Sequence, residues 1–431
     1  MSSSFFLKGK SRQIHKRKGD KIKKQKPKKA NTPNLENGHE SSDSDLDIRK
    51  FSDAEQSESD NETVEQKKLR LAKKYLEEIE KEEAKRAELK ELDNVIDKRL
   101  QKDYLEQKGK LHVDIAEQLI APADGDVRLI RYVFSGSKCG TIIKWGVKEK
   151  RKLGCLTYKS HKTFLIGSVT ALSISTDFKY LATSDESKNI QIWDPTSLKH
   201  IHTFMGHKDM VTGLVFRKNT HQLYSASKDR SVKSWSLDEM AYVETLFGHQ
   251  APITSIDALT RERAITAGGR DSTLRIWKIV EESQLIFNGP TGSIDEVRLL
   301  DEEHFVSGSD NGSLCVWSVL KKKPLCTVFE AHGSENEVPR WITSLATILN
   351  SDVFASGSYD GYIRLWKICD SYKNVLPLFN ILANGFVNCI QITNDGTQLY
   401  ASIGQEHKSG RWFKLASAKN GLLVVNISFK S

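Results

Sequence analysis

From about residue 130 the chain alternates short apolar runs with Gly, Ser, Asp and Asn turns, the pattern of β-strands joined by tight connections. One run in each unit ends in tryptophan: Ile142-Ile143-Lys144-Trp145, Ile190-Gln191-Ile192-Trp193, Val232-Lys233-Ser234-Trp235, Leu274-Arg275-Ile276-Trp277, Leu314-Cys315-Val316-Trp317 and Ile363-Arg364-Leu365-Trp366. These tryptophans lie 48, 42, 42, 40 and 49 residues apart. A period in the forties with four short strands per unit predicts an all-β, seven-bladed propeller over residues 126–431. Residues 63–108 carry a different period. Thr63-Val64-Glu65-Gln66 reads as a capping box. Leu69, Ala72, Leu76 and Ile79 then form one helical stripe, and Leu89, Leu92, Ile96 and Leu100 another. Residues 80–86, almost wholly charged, interrupt them. This predicts a long charged α-helix with two short docking surfaces, the first built on Leu69, Leu76 and Ile79. Residues 109–125 read as a linker.

Other residues recur in phase with the tryptophans. Gly206-His207 and Gly248-His249 each place a His 28 residues before a Trp, and Asp229, Asp271 and Asp360 each lie six residues before one. This resembles the WD-repeat (WD40) family, although only Trp193-Asp194 spells the dipeptide itself. The resemblance implies a buried relay in which a loop His, a turn Asp, a strand Ser or Thr and the Trp satisfy one another. His207, Ser225, Asp229 and Trp235 fit it, as do His249, Asp271 and Trp277. A catalytic reading of such a His-Asp-Ser set fails because the set recurs per repeat and no Gly-x-Ser-x-Gly elbow accompanies it. His-Glu-x-x-His and a phosphate-binding glycine loop are also absent, so no enzyme, cofactor, metal or small-molecule substrate is expected. Both ends of the ring depart from the repeat. In blade seven the best third strand is Leu422-Leu423-Val424-Val425-Asn426-Ile427, which leaves a long excursion before it; residues 126–130 are expected to supply the fourth strand. In blade one, Arg131-Tyr132-Val133-Phe134-Ser135 reads as the second strand with no room for an innermost one. Cys139 takes the turn-Asp position, and the first blade is expected to be truncated.

Charge changes the picture at the N-terminus. Twelve of the residues from 8 to 29 are Lys or Arg, and eleven acids fall between 36 and 65. Like-charge blocks of this density repel themselves, so residues 1–62 are expected to be a disordered basic, then acidic, tail. The basic part (Lys16, Arg17, Lys18, Lys21, Lys23, Lys24, Lys26, Lys28 and Lys29) suits nuclear import, a phosphate backbone or simple solubility. In the acidic part, Ser42, Ser44, Ser52, Ser57 and Ser59 each have an acid three residues on, which suits an acid-directed kinase. The six cysteines form no Cys-x-x-Cys pair, which points to a reducing compartment. No apolar run approaches the eighteen residues of a membrane span, and no membrane association is expected.

The order of parts is more specific than the repeat. A basic tail, an acidic serine stretch and the run Glu65-Gln66-Lys67-Lys68-Leu69-Arg70-Leu71-Ala72-Lys73-Lys74-Tyr75-Leu76-Glu77 precede a propeller that contains Tyr242-Val243-Glu244-Thr245-Leu246-Phe247-Gly248-His249-Gln250 and Gly404-Gln405-Glu406-His407. This arrangement is similar to the family of WD-repeat subunits specific to the U3 small nucleolar ribonucleoprotein. The resemblance implies a nucleolar, non-catalytic RNA-binding scaffold. Its expected partners are the box B/C element of U3 RNA, a kink-turn-binding protein, other box C/D core proteins and small-subunit processome proteins, and its expected role is pre-rRNA processing. A nuclear protein–protein platform without direct RNA contact is the alternative. In WD propellers the turns between second and third strands share a face with the His-bearing loops. Here that face would present Lys138, Lys188, Lys208, Lys228, Arg230 and Arg270, with His407, Lys408, Arg411 and Trp412 added by the excursion. These are the candidate RNA or partner contacts, Trp412 as a surface on which a base stacks.

Overall fold

The structure, a computed structural model, describes residues 100, 101, 104 and most of 113–429. Residues 1–99, 105–112, 121–131, 158–166 and several single positions lie outside it. So do the expectations for the tail and its serines, for Leu69, Leu76 and Ile79, for the strand at 126–130, and for Arg411 and Trp412. Leu100, Gln101 and Tyr104 are helical. The described residues belong to a unit spanning Glu91–Ser431.

Seven antiparallel sheets form the blades, five of four strands and two of three, with sequential strands adjacent in each. Blade three shows the plan: Val211–Phe216 innermost, then Gln222–Ser227, Ser231–Ser236 and Ala241–Phe247 outermost. Both faces of a middle strand pack on neighbouring blades, so Gln222–Ser227 is almost wholly buried while Ala241–Phe247 is half-exposed. This two-sided burial is why the inner strands read as continuous small-and-apolar runs instead of alternating ones. Apolar clusters fill the spaces between blades. Ile190, Phe204, Val211, Leu223 and Trp235 join blades two and three, and Phe287, Ile294, Phe305 and Trp317 join four and five.

Blade one consists of Tyr132–Gly136, Ile142–Gly146 and Arg151–Leu156. Its Trp145 Nε1 donates to Ser135 Oγ at 2.7 Å, as Trp235 does to Ser225 at 2.8 Å. Tyr132–Gly136 is therefore a second strand, and the innermost one is missing among the described residues. Blade seven has Phe386–Ile392, Gln398–Gly404 and Gly421–Asn426. Part of the expected linker packs on the propeller. The Val113 amide donates to the Asn350 carbonyl at 2.7 Å, and those of Ile115 and Ala116 to Asp352 Oδ1 at 2.8 and 3.1 Å. Ala116 and Leu119 are buried in the cluster shared by blades six and seven. Leu119–Ile120 pairs antiparallel with Ser428–Phe429, so a segment earlier than 126–130 meets the C-terminal strand.

Candidate nucleic-acid interface

The relays set the geometry of one face. Trp235 Nε1 donates to Ser225 Oγ at 2.8 Å. The Ser225 hydroxyl donates to His207 Nε2 at 2.7 Å, and His207 Nδ1 donates to Asp229 Oδ2 at 2.8 Å. The Asp229 carboxylate only accepts, so the His207 ring carries a proton on Nδ1. In blade four the chain is Trp277, Thr266, His249 and Asp271, each link 2.8 Å. Thr266 fills the hydroxyl position that the sequence pattern leaves open. Blade six has a third relay in Trp366, Ser356, His332 and Asp360, again at 2.8 Å throughout. Burial alone would raise the Asp229 and Asp271 carboxyls, but hydrogen bonds from His207 and His249 and from nearby amides hold both well below the ordinary range. Burial lowers His249 and His332, against the pull of Asp271 and Asp360, which keeps both rings neutral at physiological pH.

In blades three and four the relay Asp also takes an amide of the His-bearing loop. The Lys208 amide donates to Asp229 at 2.9 Å and the Gln250 amide to Asp271 at 3.1 Å. Lys188 Nζ donates to the Lys208 carbonyl at 2.8 Å, which links the turn of blade two to the loop entering blade three. The turns between second and third strands thus share a face with the His-bearing loops. Lys188, Lys208, Lys228, Arg230 and Arg270 are exposed there. These five cations come from three consecutive blades.

The excursion of blade seven behaves differently. His407 is buried, stacked on Trp341 with ring centroids 5.0 Å apart. Burial, with Lys408 and Lys138 nearby, pushes its pKa down to about 4, so it carries no charge to offer a phosphate. Lys408 Nζ donates to Glu296 Oε2 at 2.8 Å; this glutamate, on the innermost strand Ile294–Leu299 of blade five, is buried and also pairs with Arg298 at 2.7 Å. Burial works against the charge on Lys408, yet Glu296 raises its pKa. Lys138 donates to the Gly410 carbonyl at 3.2 Å and lies 3.5 Å from Glu406. The geometry therefore gives three of the candidates other contacts within the fold. His407 is neutral and packed, while Lys408 and Lys138 already hold the excursion to blades five and one. Sequence reasoning also passes over Phe247 and Phe329, both 74% exposed on outer-strand ends. Among the described residues no group of His, Cys, Asp and Glu is arranged to hold a metal.

The WD40 family model (WD domain, G-beta repeat) matches residues 155–194, 198–236, 240–278 and 323–367. The chain is 48% identical to the U3 small nucleolar RNA-interacting protein 2 of Mus musculus, over 84% of this chain and 82% of that one. It is 38% identical to the Ribosomal RNA-processing protein 9 of Saccharomyces cerevisiae over 30% of this chain and 29% of that one. A crystal structure of RRP9 WD40 repeats superposes with a TM-score of 0.69 at 44% identity, covering 72% of this chain and all of that one.

Proposed function

The chain belongs to the WD40-repeat family of the U3 small nucleolar RNA-interacting protein 2, and from that premise we propose that it is a non-catalytic RNA-binding scaffold of the U3 small nucleolar ribonucleoprotein, active in rRNA processing. The observation that carries this reading is the cluster of exposed cations on the relay face, Lys188, Lys208, Lys228, Arg230 and Arg270. Four positive side chains on these turns, with Lys208 on the adjoining loop, suit a phosphate backbone, where counterion release supplies affinity. The RNA element is the box B/C region of U3 with a kink-turn-binding protein already in place, and box C/D core and small-subunit processome proteins are the further partners. The basic stretch within residues 8–29 carries the chain into the nucleus, where it concentrates in the nucleolus. The phosphorylatable serines and the stripe of Leu69, Leu76 and Ile79 belong to this reading as regulatory and docking elements.

The test is the salt dependence of binding to a U3 RNA fragment. Changing Lys208, Lys228, Arg230 and Arg270 together to Ala should weaken binding and flatten the slope of log K against log salt by about three, since each phosphate contact contributes about 0.7–0.9. An unaltered slope would move the RNA site off this face. Absence of any RNA binding would favour the protein–protein platform instead.

A further inference from the structure

Phe247 ends the outermost strand of blade three and leaves 74% of its surface in solvent. Its partner across the ladder is Ser231, so it stands beside the turn formed by Lys228, Asp229 and Arg230. Two residues on, His249 holds Asp271 at 2.8 Å, which sets the turn carrying Arg270 beside the loop that leaves Phe247. Lys208 joins the group through its amide bond to Asp229. The backbone leaving Phe247 is clamped: a Cβ on Gly248 would come within 2.4 Å of Arg275 Nη1 and 3.0 Å of Trp277 Cη2. We infer that Phe247 is a stacking platform for an unpaired nucleobase of bound RNA, with Lys208, Lys228, Arg230 and Arg270 meeting the flanking phosphates. Bases stack on exposed aromatic rings, and neighbouring cations hold the strand against them. This deepens the RNA-binding reading and rests on it.

The other blades supply an internal comparison. Met205, Asn288, Phe329 and Leu382 occupy the equivalent position, one residue beyond the strand partner of the residue three before each Trp. Phe329 equals Phe247 in exposure at 74%. Its turn, however, is Asp310, Asn311 and Gly312, and Glu330 follows it directly. An RNA strand laid across Phe329 would meet like charge. Exposure is common to both rings; cations on the adjoining turn belong to Phe247 alone of the two.

The experiment measures binding of a U3 RNA fragment, carrying its kink-turn-binding protein, to the full chain and to Phe247→Ala, Phe247→Trp and Phe329→Ala. Phe247→Ala should lose about five- to a hundredfold in affinity with the salt slope and thermal midpoint kept. Phe247→Trp should bind like the unaltered chain and gain indole emission that the RNA quenches. Phe329→Ala should change nothing. Unchanged affinity in Phe247→Ala, or an equal loss in Phe329→Ala, overturns the stacking role while RNA binding stands. Failure of the unaltered chain to bind overturns the RNA reading itself, and the platform with it.

Discussion

Arg230 sits in the left-handed region at φ 69°, five residues before Trp235. The same position holds Gly140, Gly312 and Gly361 in blades one, five and six, with φ of 71°, 73° and 85°. An L-residue there costs about 1–2 kcal/mol, which glycine avoids. Blades two, three and four instead place Lys188, Arg230 and Ser272 at this strained point, so each of the two cations costs stability where it stands. Arg230→Gly should therefore hold or raise the thermal midpoint by roughly two degrees while RNA affinity falls. A variant that loses both would show that the guanidinium is structural. His221 supports a second residue-level prediction. Its Nε2 donates to Asp177 at 2.8 Å and its Nδ1 to Asp238; carboxylates only accept, so both nitrogens are protonated. Burial opposes that charge, but the two acids raise the pKa. A raised folded value means the stabilisation is complete below the unfolded value of about 6.5 and fades as pH climbs through the folded one. The gap in thermal midpoint between the unaltered chain and His221→Gln should be wider at pH 5.5 than at pH 9, and a constant gap would refute the charged bridge. His207 and His249 were legible in the sequence because each lies 28 residues before its Trp. His332 was not, since it precedes Trp366 by 34 residues. The hairpin of Ser334–Glu335 and Val338–Pro339 lies in that interval and breaks the spacing.

At the scale of elements, strands announced themselves wherever a turn and a Trp bracketed them, and the excursion of blade seven was legible as a gap before Gly421–Asn426. What it does was not legible, because its partners lie far away along the chain: Lys408 meets Glu296 from 112 positions off. Charge in a sequence says nothing about which carboxylate the fold will set beside it. The excursion is a clasp. Lys408 pins it to blade five, His407 to Trp341, and the carbonyl of Glu406 accepts from Asn388 at 2.9 Å. Lys408→Met should lower stability by about 1–2 kcal/mol, allowing for its partial exposure and for the Arg298 that still faces Glu296. The salt slope of RNA binding should not change, since this ammonium is occupied. A slope reduced by about one would return Lys408 to the phosphate contacts.

Around the whole ring, stability is unevenly distributed. Apolar clusters join blades one to two, two to three, three to four, four to five, five to six and six to seven. Among the described residues no such cluster spans seven and one, where the innermost strand of blade one is missing. That seam is held by polar contacts of Lys138 with the Gly410 carbonyl and Glu406. A partly exposed ion pair contributes about 0–1 kcal/mol, far less than a buried cluster of aromatic and branched side chains. On the other flank of blade seven, Asp352 and the Leu119–Ile120 ladder bind residues 113–120 to blades six and seven, which stiffens that side further. Opening should then start at blade one, with blades three to five retained to the global unfolding transition. Native-state hydrogen exchange tests this directly. Amides of Tyr132–Gly136 and Arg151–Leu156 should exchange through a lower-energy opening than those of Gln222–Ser227 or Arg263–Gly268, and Lys138→Met should speed the first pair alone. Uniform protection around the ring would show that the seam is as strong as the packed junctions.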